Sequence, residues 1–208
     1  MTTSPTTLFL IRHAEVEAKY HRVFGGQIDM ELSPLGHTQA EALANYLRRK
    51  KINAIYASPM KRVQLTLDPY LTNGAPQPII MPGLREVHFG DWTGHNFEGI
   101  REKFGARAFD WLHHLEQGTI PNAERMDAYR ARVEPCLLEI LDRHPGQSVA
   151  VFCHGGVIRM LLALLLELPL SKMSVFEIDY ASVSEIELQP GRMEIQLLNF
   201  APWRELNQ

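Results

Sequence analysis

Cysteine is scarce, with only Cys136 and Cys153 in 208 residues. That argues against a disulfide framework and for a reducing compartment. Neither sign of charge is in excess, because 21 Lys and Arg face 24 Asp and Glu for a formal net charge of -3. No overall basic field exists to hold nucleic acid or an anionic membrane, so any anion site must be built locally. Long apolar runs are missing too. The most apolar stretch, Met160 to Leu166, falls far short of the roughly 20 residues that span a bilayer. The opening MTTSPTT does not set a basic region before an apolar one, so no secretory leader is expected and a cytoplasmic protein is. Internal repeats and low-complexity segments are absent as well.

What is present suits one well-buried domain over residues 1–208, at 45% hydrophobic and 22% charged residues. Leu8 to Ile11 form a short apolar run typical of a strand buried on both faces, and Arg12 and His13 follow at its carboxyl end. A loop over 14–31 contains Gly25 and Gly26. Ser33 and Pro34 give an N-cap and first-turn signal for a helix ending near Arg48 to Lys51. Residues 52–57 read as a second strand. Ser58 and Pro59 repeat the cap signal and place Arg62 in the first turn of a second helix.

A Pro-rich loop over 73–82 encloses a short strand at Ile79 and Ile80, and Leu84 to Glu86 leads out of it. From 88 to 145 strand signals vanish. Met126, Tyr129, Val133, Leu137 and Ile140 keep the helical period, with Pro135 expected to kink or interrupt the helix. Ser148 to Cys153 reads as a buried strand, followed by His154, Gly155 and Gly156 and a helix over 157–166. Two closing strands are expected over 174–189 and 192–199. The alternation predicts an α/β protein, a three-layer α/β/α sandwich with a mostly parallel sheet and an inserted helical cap at about 88–145.

Arg12, His13, Arg62, Glu86 and His154 all fall just after strands or in first helical turns. In an open α/β sheet that is the ligand-binding edge. Two arginines, two histidines and a carboxylate are the parts for phosphoryl transfer without a metal. Guanidinium forks bind phosphate oxygens, a neutral imidazole attacks phosphorus, and a carboxylic acid protonates the departing alcohol.

The stretches LIRHAE, ASPMKRVQLT, LREVHFGDWTG and FCHGGVIR, with GGQIDMELSPLGHTQA between the first two, resemble the histidine phosphatase superfamily, also called phosphoglycerate mutase-like. The resemblance implies that His13 becomes phosphorylated, that Arg12, Arg62 and His154 bind the phosphate, and that Glu86 is the general acid. Gly155, Lys19 and Gln27 complete the substrate-binding candidates. No cofactor and no metal are expected, and His113 and His114 do not read as a zinc pair. His88 and His95 stand as candidates for the pocket mouth, and Lys19 and Arg22 for distal charge on a substrate.

Three stretches depart from the family pattern. Ala14 replaces a glycine and costs about 1 kcal/mol if the position needs positive φ. Lys19 stands where an asparagine is usual, and Ala123, Glu124 and Arg125 replace Gly-Glu-Ser. The function expected is hydrolysis of a small-molecule phosphomonoester, with no nucleic-acid or membrane partner and a homodimer as one open state of assembly. Its rivals are a cofactor-dependent phosphoglycerate mutase and a phosphate-ester binding module that has lost turnover. A metal-dependent hydrolase is a weaker third, and it predicts loss of activity in chelator.

Overall fold

A computed structural model describes residues 4–72 and 74–207. The apolar run at the start forms β1 (Thr6–Arg12), whose Leu8, Phe9, Leu10 and Ile11 are buried on both faces. Helix α1 (Pro34–Leu47) starts as the sequence predicts, the Ser33 hydroxyl accepting the Gly36 N–H at 2.9 Å. There follow β2 (Ala54–Ala57), α2 (Lys61–Leu71) and β3 (Pro78–Ile80). Helices α3 (Phe97–Phe104), α4 (Trp111–Gln117) and α5 (Met126–Arg143) occupy the segment that lacked strand signals. The chain then forms β4 (Ser148–Cys153), α6 (Gly155–Leu165), β5 (Val183–Gln189) and β6 (Arg192–Phe200).

The strands make one sheet in the order β3-β2-β4-β1-β5-β6. β3, β2, β4 and β1 pair in parallel, while β5 runs antiparallel to both β1 and β6. Alternate residues of β1 supply the two faces. Phe9 and Ile11 pack with Leu43, Leu47, Val63 and Leu67 of α1 and α2. Leu8 and Leu10 pack with Val133, Leu137, Val157 and Leu161 of α5 and α6. This is the three-layer sandwich expected, and it brings the carboxyl ends of β1, β2 and β4 to one edge.

Three local expectations fail for physical reasons. Helix α2 begins at Lys61 with Met60 as its cap residue, because the buried Ser58 hydroxyl turns to His154 Nε2 at 2.8 Å. Pro135 lies inside an unbroken α5, its missing N–H tolerated by a helix held along its length by the core. The first closing strand starts at Val183, not 174. Residues 176–182 run instead across the carboxyl edge, with Ala181 at φ 48°.

Candidate active site

His13 directly follows β1 and is buried. Its Nδ1 lies 2.8 Å from the Ala14 carbonyl. A carbonyl can only accept, so Nδ1 carries the proton and Nε2 keeps its lone pair. Arg62 Nε donates to that nitrogen at 3.1 Å. Burial, then Arg62 and Arg12, hold the His13 pKa well below its ordinary value, so the ring is neutral at pH 7. Ala14 does not have positive φ. The strain considered for it is absent, and its N–H donates to Thr66 Oγ1 at 2.9 Å.

The Arg62 guanidinium is anchored on its far side. Its Nη1 and Nη2 donate to the Ile28 and Gly26 carbonyls at 2.8 and 2.9 Å. Burial lowers its pKa to about 10, which still leaves it protonated. Arg12 donates to the Ile178 carbonyl at 2.6 Å and lies 4.0 Å from the Tyr180 ring centroid. Its Nε is buried without a partner among the described residues, as is Nδ1 of His154. The His13 and His154 rings stand 5.3 Å apart, edge to face. Two cations and two buried nitrogens without partners thus gather near the His13 ring, an arrangement suited to a phosphoryl group.

Glu86 reaches the same place from the loop after β3. Its carboxylate accepts the N–H of Val87 at 3.0 Å and of Gly156 at 3.2 Å. Arg132 of α5 fixes the loop, donating to the carbonyls of Gly83, Arg85 and Glu86 at 2.8, 2.6 and 3.1 Å. Glu124 in turn accepts from Arg132 Nε at 2.9 Å and from the His88 N–H at 2.7 Å. The altered block around Glu124 therefore supports the carboxylate loop.

These groups open into a cavity of about 460 Å³. Arg12, His13, Arg62, Glu86 and Gly156 line its floor, and Phe24, Phe89, Phe97, Trp111, Arg22 and Arg159 its walls. Several expected contacts lie elsewhere. Lys19 is outside the lining and pairs with Glu17 at 3.1 Å, leaving Arg22 as the cation of that loop at the cavity. Gln27 donates to the Glu86 carbonyl at 3.2 Å, steadying the backbone from outside the lining. Gly155 gives way to Gly156, since the helix start turns the second N–H toward Glu86. His154 sits behind the lining, fully buried. His88 and His95 are outside it as well, His88 Nδ1 accepting the Gly90 N–H at 3.2 Å.

Sequence reasoning missed Tyr180, Arg159 and Arg132. Arg159 alone carried a signal, one helical turn beyond Gly155.

The buried histidines make stability depend on pH in a definite direction. Burial comes first for both, and Arg62 next, so each has a folded pKa well below 6.5. Below about pH 6.5 the unfolded chain takes up protons that the folded chain refuses, so stability present above that pH is lost as pH falls through it. Between pH 7.5 and 5.5 the loss is up to about 1.4 kcal/mol per histidine, the limit for a ring that takes up no proton while folded. Urea unfolding at the two pH values should show that His154→Asn removes part of this difference, up to about 1.4 kcal/mol. A pH dependence identical to the parent's would rule the account out.

Known proteins share the fold that carries this geometry. The family model for the histidine phosphatase superfamily (branch 1) matches residues 8–201. Phosphoserine phosphatase 1 of Hydrogenobacter thermophilus is 32% identical over 92% of this chain and 91% of its own. The adenosylcobalamin/alpha-ribazole phosphatase of Salmonella typhimurium is 28% identical over 95% and 98%. Among solved structures, a mycobacterial glucosyl-3-phosphoglycerate phosphatase superimposes with a TM-score of 0.84 at 25% identity, over 94% of this chain and 99% of that one. A match along nearly the whole sequence, on a sheet that gathers two arginines, two histidines and a glutamate at one edge, places this chain in branch 1 of the histidine phosphatase superfamily.

Proposed function

We propose that the protein is a metal-independent phosphatase that hydrolyses small-molecule phosphomonoesters through a phosphohistidine on His13. The observation that carries this reading is the neutral imidazole, its Nδ1 committed to the Ala14 carbonyl and its Nε2 facing Arg62. When a phosphate ester enters, Arg62 Nε moves its hydrogen bond from that lone pair to a phosphoryl oxygen. Arg12 also holds that oxygen, and the Nδ1 of His154, unpartnered among the described residues, meets it from beside the His13 ring. Nε2 forms a bond to phosphorus as the ester P–O bond breaks, and Glu86 gives its proton to the departing oxygen. The Glu86 carboxylate then takes a proton from water while the water oxygen attacks phosphorus. The P–N bond breaks, its electron pair returns to Nε2, and phosphate leaves.

The relatives named phosphatases support this reading, as does a leaving-group space walled by Phe24, Phe89, Phe97 and Trp111. Three of those side chains come from the helical segment at 88–145, which acts as the cap. Among the described residues, Glu86 is the one carboxylate that lines the cavity. The ammonium of phosphoserine therefore finds no second acid there, and bulky apolar leaving groups are preferred. Cys136 and Cys153 are both free thiols, as a reducing cytoplasm allows. No helix among the described residues is long and apolar enough to cross a membrane.

The test uses a radiolabelled aryl phosphate in EDTA, quenched during turnover. The expected product is label on the protein that survives alkali, is released by acid and maps to the peptide holding His13. Turnover that stops in EDTA, or label confined to another residue, refutes the reading. Conversion of 2- to 3-phosphoglycerate in the presence of the bisphosphate would identify a mutase instead.

A further inference from the structure

Tyr129 is fully buried on the inner face of α5, and its hydroxyl has no hydrogen-bond partner among the described residues. Phenylalanine would fill the same space without leaving a polar group unpaired, so the hydroxyl needs an explanation. Its surroundings supply one. The Arg132 guanidinium, which fixes the Glu86 loop, lies 4.7 Å from the Tyr129 ring centroid. A methyl group added to Gly156 would overlap Glu86 Oε1 and come to 3.2 Å from Tyr129 Oη. The two oxygens therefore face one small space, kept open by a glycine whose own N–H holds the other oxygen of Glu86.

We infer that Tyr129 is a positioning residue for proton transfer, its hydroxyl donating a hydrogen bond to Glu86 as the carboxyl group gives up its proton. The inference rests on the phosphatase reading. The Glu86 O–H bond breaks, the leaving-group O–H bond forms, and Tyr129 keeps its own proton throughout. Burial holds the phenol well above its ordinary pKa, so it keeps its proton and is able to donate it in a hydrogen bond. Its contribution is to favour charge on Glu86 at the moment that charge appears, in a space shielded from water.

A pair of substrates tests this. The nitrophenolate of p-nitrophenyl phosphate leaves as a stable anion and needs no proton, whereas the alkoxide of an alkyl phosphate does. Tyr129→Phe should lower kcat/KM for the alkyl ester about 10- to 30-fold, the lower end of the worth of one hydrogen bond to a charged group. For p-nitrophenyl phosphate it should change kcat/KM by less than about twofold. Glu86→Gln should show the same selectivity with a larger loss, on the order of 100-fold or more. The thermal midpoint of Tyr129→Phe should not fall, because the ring and its packing remain.

Equal losses on both esters, no loss on either, or an unselective loss with a lower midpoint would overturn the role of Tyr129. If Glu86→Gln is still selective in those cases, the phosphatase reading stands. An unselective Glu86→Gln would overturn Glu86 as the acid, and this inference with it.

Discussion

Replacing His13 with alanine should lower kcat by on the order of 10⁴- to 10⁶-fold, the scale seen when a covalent nucleophile is removed. Inorganic phosphate should still bind within about tenfold of the parent affinity, since electrostatic anchors persist when the nucleophile is lost. Arg12, Arg62 and His154 each have anchors apart from the His13 ring: the Ile178 carbonyl, the Gly26 and Ile28 carbonyls, and the Ser58 hydroxyl. The comparison of kcat with phosphate binding by calorimetry separates chemistry from recognition. Residual turnover above about one part in a thousand would assign the nucleophile to another group.

Arg62→Lys should cost about 10²- to 10³-fold in kcat/KM, although the positive charge is retained. An ammonium cannot donate from a rigid fork to His13, Gly26 and Ile28 at once, as the guanidinium does. The charge would thus lose its fixed place above the nucleophile. The loop carrying Gly26 and Ile28 would lose two anchors, and faster amide exchange at residues 25–29 should accompany the kinetic loss. A decrease of less than about tenfold would show that charge, not geometry, is what Arg62 supplies.

The sheet was legible because Leu8 to Ile11 and Val149 to Cys153 are short apolar runs ending in charged or titratable residues. Most of the central site residues were legible for the same reason, lying at the end of a strand, just past one or at a helix start, with Glu86 on the loop after β3. What stayed hidden depends on partners far along the chain. Ser58 read as a helix cap because that signal is local, while its contact with His154 spans 96 residues. Tyr180 and Arg132 gave no local sign, since the first meets β1 across the sheet edge and the second grips a loop 46 to 49 residues upstream. Lys19 misled because motif alignment places a position without saying where its side chain goes. The chain there offers it Glu17 at 3.1 Å.

The pairing of β1 has a consequence for the protein's synthesis. Leu8 is matched with Val149 on one side and Ile186 on the other, so neither neighbour exists when β1 leaves the ribosome. At about 5–20 residues per second the first strand waits roughly 7–30 s for its parallel partner, and longer for the antiparallel one. Through that interval a strongly apolar segment is without its sheet, at the stage where nascent chains are most open to chaperone capture and aggregation. The nucleophile, made early with Arg12 beside it, has its surroundings completed only when Tyr180 and Ala181 arrive.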